Sequence, residues 1–240
     1  MPEVRNAAPV VEDLDHEVKF VLPAAAAAPA RALLSGVCRP EEPHPGGRID
    51  TIYFDDRTLS SADEKLASDY RKSKIRLRWY DGTGTVHLEW KRRLGSRREK
   101  WRLELDIDGE RLGAEGLAGA ERCGVGALLR ENGCLAPGDL APALHLTYER
   151  ERFVDPAAGC RLSLDTRIAA IERAPWCEAL AATLDPGGET AVTIVEVKGA
   201  ARDLPPGLHA LATLGARRNS YSKYTACLLA GLHSSDRGKR

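Results

Sequence analysis

The sequence predicts a single α+β domain in which helices pack outside an antiparallel sheet. Three observations predict it. Eight segments alternate apolar and polar residues with a period of two. Glycine- and proline-rich turn signals join neighbouring segments at hairpin spacing. No break in composition divides the 240 residues, enough chain for one large core. The domain is expected to span 14–233, with 1–13 and 234–240 as flexible tails rich in proline, serine and charge.

The elements follow in order. HEVKF (16–20) reads as the first strand, and Pro29 to Val37 as a helix. TIYF (51–54), KIRLRWY (74–80) and TVHLEWK (85–91) are strands, and Gly82 and Gly84 turn the chain between the last two. KWRLELDI (100–107) alternates cleanly, and parts of 110–131 have helical spacing. LTYERERF (146–153) and RLSLD (161–165) flank a turn over Pro156 to Gly159, and TIVEVK (193–198) is the eighth strand. Helices are expected at Leu208 to Leu214 and at Tyr221 to Leu232, the latter capped by Ser220.

Composition narrows the function. Thirty-five Lys and Arg balance thirty-five Asp and Glu, which argues against a general nucleic-acid binder. The apolar stretch Phe20 to Ala30 is too short to span a bilayer and is broken by Pro23 and Pro29. The acidic N-terminus does not resemble a signal peptide. Six scattered cysteines show no CxxC and no zinc-ligand spacing, so they read as reduced thiols of a cytoplasmic protein.

The strand faces carry the chemistry. Residues two apart share a face. Arg76 and Arg78 therefore align, as do Glu89, Lys91 and Arg93, then Lys100, Arg102 and Glu104, then Arg150 and Arg152. Arg161, Ser163 and Asp165 align in RLSLD, Glu196 and Lys198 in VEVK, and Glu17 and Lys19 in HEVKF. One such strand is an ordinary amphipathic strand with its charges in water. Repeated cations on many neighbouring strands would repel one another unless an anion neutralised them. Between Arg71 and Glu104 there are twelve basic residues against four acidic ones. A barrel with a cation-lined interior accounts for the pattern, and its ligand would be a polyanion such as a triphosphate or polyphosphate. Glu17, Glu89, Glu104, Asp165 and Glu196 would serve there as ion-pair partners or as ligands of a hard divalent cation.

The ordered set HEVKF, TIYFDD, RLRWY, LEWKR, YERERF, RLSLDT, VEVK and SYSKY resembles the VTC domain. That family is the polyphosphate polymerase of the vacuolar transporter chaperone complex, with stand-alone bacterial members. It is grouped with the triphosphate tunnel metalloenzymes and CYTH-like triphosphatases. The resemblance implies an eight-stranded antiparallel tunnel barrel with a plug-like C-terminal helix. It implies ATP-dependent synthesis of inorganic polyphosphate from ATP and a phosphate, pyrophosphate or polyphosphate acceptor. It places phosphate-gripping catalytic roles on Lys19, Arg76, Arg78, Lys91, Arg150, Arg161 and Lys223, and Lys198, on the same face as Glu196, is expected to share that grip. It places substrate-binding roles on Lys100 and Ser222 and Mn²⁺ or Mg²⁺ on Glu196, and Arg152, a cation added to the family pattern, is expected to bind substrate beside Arg150. Two departures are Trp90 within LEWKR and the added Arg152 in YERERF, while Asp15 and Glu17 with Lys19 loosely match a CYTH signature. Two readings stay open beside the polymerase: a tripolyphosphatase or nucleoside triphosphatase with water as acceptor, and a non-catalytic module that binds polyphosphate or inositol phosphates. With no span of its own, the protein would need a separate membrane partner to move a product across a bilayer.

Overall fold

Each of the eight alternating segments forms a strand, and most extend beyond the alternation. The structure is a computed structural model describing residues 10–13, 16–67, 69–81, 84–95, 97–181 and 191–230. In chain order the strands are β1 (Val10–Asp13), β2 (Glu17–Pro23), β3 (Arg39–Pro40), β4 (Gly46–Asp55), β5 (Arg71–Tyr80) and β6 (Thr85–Leu94). They continue with β7 (Arg97–Asp108), β8 (Ala141–Asp155), β9 (Cys160–Arg173), β10 (Val192–Lys198) and β11 (Arg217–Arg218). The helices are α1 (Ala27–Val37), α2 (Ser60–Leu66), α3 (Gly109–Arg122), α4 (Val125–Glu131), α5 (Pro175–Ala181) and α6 (Lys223–Ala230). Short 3₁₀ turns occupy Ala24–Ala26 and Pro206–Leu214.

All the strands join one antiparallel sheet in the order β1-β7-β6-β5-β4-β8-β9-β10-β2-β11, with β3 added beside β8. The α+β antiparallel class is as expected, but among the described residues the ladder does not close into a barrel. Its edges are already taken: β1 pairs with β7 along Glu99 to Arg102, and β11 pairs with β2 at Phe20 and Val21. Backbone groups used there cannot also join β7 to β2. The sheet curls instead, bringing Glu17 of β2 into the field of Lys91 of β6 although five strands separate β2 from β6 in the ladder.

Residues 10–13, expected within the N-terminal tail, form β1, because the outer edge of β7 offers unpaired backbone groups to a short extended segment. Residues 1–9 and 231–240 of the expected tails and helix end, and also Asp15 and Gly82, lie outside the described residues.

Helices cover the outer faces. Val18, Phe20, Leu22, Leu162, Leu164, Val195 and Val197 pack with Ala30 and Leu34 of α1 and with Leu208 and Leu211. The larger core joins Leu77, Trp79, Leu88 and Leu103 to α3 and α4 on one side, and Phe54, Ile168 and Leu144 to α2, α5 and α6 on the other. The helical spacing expected in parts of 110–131 takes the form of α3 and α4, and α3 is itself broken at Gly116 (φ 58°, ψ −142°), a conformation glycine tolerates. Glu172 holds that break by accepting the Leu117 N–H at 2.8 Å. Segment 208–214 is 3₁₀ rather than α. Helices α2 and α5, absent from the expectations, are each only seven residues long, too short for a helical period to stand out.

The C-terminal helix starts at Lys223, later than expected, and its cap is Ser222 rather than Ser220. Ser222 Oγ accepts the Thr225 N–H at 3.3 Å, whereas Ser220 Oγ accepts Lys65 Nζ at 2.8 Å. Tyr224 through Leu229 are all buried against α2, α5, β8 and β9.

Candidate functional site

The period of two carries the charged rows onto the concave face of the curled sheet, while their apolar neighbours enter the outer cores. A cavity of about 180 Å³ opens on that face. Of the residues singled out by sequence, Arg76, Arg78, Lys91, Lys100, Arg150, Arg152, Arg161 and Lys198 line it. These eight cations face two carboxylates, Glu41 and Glu89.

Glu89 organises one wall. Arg76 donates to its Oε2 from Nε (2.8 Å) and Nη2 (2.5 Å), and Lys100 and Arg78 lie 3.5 and 3.8 Å away. Arg76 also donates to the Tyr53 hydroxyl at 3.1 Å, and Arg78 to Thr51 Oγ1 at 3.3 Å. Burial opposes the Glu89 charge, but Arg76, Arg78, Lys91 and Lys100 hold its carboxyl well below the usual range.

The opposite wall is built on Asp165 and Glu196. Arg150 grips Asp165 through two 2.6 Å hydrogen bonds and reaches Glu196 at 3.2 Å. Lys223 pairs with Asp165 and lies 3.5 Å from Glu196, above the Tyr148 ring. Lys19 bridges Glu17 (3.0 Å) and Glu196 (3.4 Å), and Lys198 stands 3.9 and 4.0 Å from the same two carboxylates. Burial works against ionisation of Glu196, yet Lys19, Lys223, Arg150 and Lys198 keep it well below the ordinary value. Glu17, likewise opposed by burial, is drawn down to about 2 chiefly by Lys19.

Lys91 differs. It has no ion pair among the described residues. Burial and then Arg76 press its amine well below the ordinary lysine value, against partial compensation from Glu89 and Glu17. Arg152 points at the Tyr80 ring and donates to the His44 carbonyl, and Arg161 stands at the exposed mouth, 3.9 Å from Glu41.

Four of the twelve residues given catalytic, substrate-binding or metal roles from the sequence do not line the cavity. Lys19, Lys223 and Glu196 form the ion-pair network behind it. Ser222 is buried at the start of α6, its Oγ accepting Lys74 Nζ at 2.7 Å. Sequence reasoning passed over Lys74, two residues before Arg76 on the same face, and over Tyr53, Thr51 and Tyr148. The spacing signal for Lys74 was available; the aromatic and hydroxyl partners become visible only through cross-strand register.

Among the described residues, no group of three or more His, Cys, Asp or Glu side chains makes a metal cage. The donor set fits a hard divalent ion in one restricted mode. Magnesium in nucleotide sites is commonly held by one or two carboxylates plus phosphate oxygens and water, and Glu196 and Glu17, joined through Lys19 and Lys198, supply such a pair.

The sequence profile described as the VTC domain matches residues 14–231. No curated protein matches the chain by sequence. Among solved structures, a candidate adenylate cyclase from Bacillus halodurans is 13% identical, with a TM-score of 0.50 over 90% of this chain and 96% of that one. A candidate adenylyl cyclase from Hippeastrum, HpAC1, described as having a dominant triphosphatase activity, is 20% identical with a TM-score of 0.46, covering 93% and 96%. The PH1819 protein of Pyrococcus horikoshii OT3 is 15% identical with a TM-score of 0.46, covering 90% and 99%. At 13% identity the likeness to the Bacillus halodurans structure concerns the fold alone.

Proposed function

The chain belongs to the VTC domain family, and from that premise we propose that it is an ATP-dependent polyphosphate polymerase acting in the cytoplasm. The observation that carries this reading is the cavity in which eight cations face two carboxylates. That excess favours a ligand with several phosphates over a single carboxylate or a neutral molecule.

In the proposed reaction a terminal oxygen of a phosphate, pyrophosphate or growing polyphosphate attacks the γ-phosphorus of ATP. The bond from that phosphorus to the β,γ-bridging oxygen breaks, and ADP departs with its electron pair. Such transfer asks the protein mainly for alignment and charge neutralisation. Arg76 and Arg150 suit alignment, because Glu89 and Asp165 fix their guanidinium planes before any ligand arrives. Arg78, Lys91, Lys198 and Arg161 would complete the grip on phosphate oxygens, with Lys100 and Arg152 at the flanks. Lys19 and Lys223 would meet phosphates at the ends of the path, and Ser222 would support Lys223 from the start of α6. Glu196, assisted by Glu17, would hold Mn²⁺ or Mg²⁺, which supplies further neutralisation of phosphate charge when bound. No side chain is assigned as a nucleophile, so no phospho-enzyme forms. No helix of the described residues is long and apolar enough to cross a membrane. Export of the product would fall to a separate membrane partner.

The test is the product. Purified protein with ATP and Mn²⁺, primed with pyrophosphate, should give a polyphosphate ladder on a gel, and Lys223→Ala should abolish it. ADP and orthophosphate without polymer would replace the polymerase with a hydrolase. Unchanged ATP beside tight polyphosphate binding would leave a binding module.

A further inference from the structure

The cationic rows do not end where the cavity ends. On β5 the row Arg78, Arg76 continues to Lys74 and Lys72, and on β6 the row Glu89, Lys91 continues to Arg93. Same-face positions on a strand are roughly 6.6 Å apart, so Lys72 lies about 13 Å beyond Arg76. Helix α2 adds Lys65, whose Nζ donates to Ser220 Oγ at 2.8 Å, beside the Lys74–Ser222 contact at 2.7 Å. Among the described residues, none of Lys65, Lys72, Lys74 and Arg93 has a carboxylate within ion-pair distance. Asp69 and Glu64 act on Lys72 against its depression by burial, and Glu64 accepts the Ser73 N–H at 2.7 Å.

We propose that Lys65 and Lys74, held at Ser220 and Ser222, form with Lys72 and Arg93, whose charges act on Lys65, a second anion subsite that takes phosphates of an inorganic polyphosphate chain too long for the cavity. The inference rests on the polyphosphate reading of the cavity and extends it to chain-length preference. Of these four cations from two strands and a helix, Lys65 and Lys74 donate to hydroxyls and Arg93 to the Gly95 carbonyl, and among the described residues no carboxylate pairs with any of them. The electrostatics agree with the geometry. Burial, followed by Lys72, Lys19 and Arg93, pushes the Lys65 amine down to about 8, and burial with Lys19 and Lys65 presses Lys74 well below its ordinary value. A chain held at Arg76 and continuing along β5 would meet these groups in turn. A tripolyphosphate held in the cavity would fall short of them.

The depressed Lys65 amine supplies the assay, because its free base acetylates readily near pH 8. Site-resolved acetylation of the full chain would be followed by mass spectrometry, alone and with tripolyphosphate or long-chain polyphosphate. At ten times its dissociation constant, the long chain should slow labelling of Lys65 about tenfold and tripolyphosphate should leave it within about twofold, while both protect Lys91. The Lys65→Ala/Lys72→Ala protein, whose changes lie outside the cavity, should lose about tenfold in affinity for the long chain and keep its affinity for tripolyphosphate. Protection of Lys91 and Lys198 by the long chain without protection of Lys65 would overturn the subsite and leave the cavity reading intact. Protection of Lys65 without protection of Lys91 would keep the subsite and overturn the cavity reading.

Discussion

Glu196→Gln tests the ion-pair network directly. The substitution keeps the side chain's size and most of its hydrogen bonding while removing one charge. Four cations lie close to that charge: Arg150 at 3.2 Å, Lys19 at 3.4 Å, Lys223 at 3.5 Å and Lys198 at 4.0 Å. At an effective dielectric constant near 20, each contact is worth roughly 4–5 kcal/mol of gross attraction. Most of that is offset by the desolvation of Glu196 and by repulsion among the cations themselves. Removing one member of a buried ion-pair set typically leaves a net loss of about 3–5 kcal/mol. For a chain of this size that corresponds to a fall in Tm of roughly 6–20 °C. Thermal unfolding of the ligand-free parent and variant measures it. Tripolyphosphate should recover part of the loss, because its charge can take the place of the missing carboxylate. Polymer synthesis at saturating Mn²⁺ should fall about a hundredfold. A variant that melts within a degree of the parent would refute the view that Glu196 holds the four cations together. Parental turnover at saturating Mn²⁺ would remove its assignment to the metal.

Two further outcomes follow from the same electrostatics and packing. Lys91 and Lys74 have depressed proton affinity in the free protein, so their contribution makes that protein more stable as pH rises from their depressed values toward the ordinary lysine value of 10.5. Phosphate at either lysine favours the ammonium form; polyphosphate binding should therefore take up protons and weaken as pH rises through that window. Calorimetry at pH 8 in buffers of different ionisation enthalpy reads the uptake, and a buffer-independent heat would refute it. Ser222→Ala removes the cap of α6 and the acceptor of Lys74, at a cost of about 1 kcal/mol for the cap. Its Tm should fall by about 2–4 °C, and a parental Tm would show that α6 is held by its buried residues alone.

The charged faces were legible in the sequence because a strand's side-chain period is a local property. Once KIRLRWY is a strand, Arg76 and Arg78 share a face and Ile75, Leu77 and Trp79 take the other, whatever surrounds them. Eight of the twelve singled-out residues accordingly meet in one cavity. The VTC resemblance was likewise a matter of ordered local motifs.

The tertiary structure decided what depends on register and curl. That Arg150 faces Asp165, and Glu196 faces Lys19 across the ladder, follows from pairings between segments up to 177 residues apart. Neither helical nor strand periodicity encodes those partners. The open ladder also had to be seen, because closure depends on which edge groups β1 and β11 occupy. Ser222 looked like a phosphate ligand in sequence, and only the packing of α6 against β8 and β9 shows its hydroxyl receiving Lys74. Local alternation commits this protein to bringing many cations to one face of a sheet. The fold decided which of them carboxylates hold in place and which, such as Lys91 and Lys65, have no ion pair among the described residues, because charge compensation acts over a few ångströms and those distances are set only when distant strands curl together.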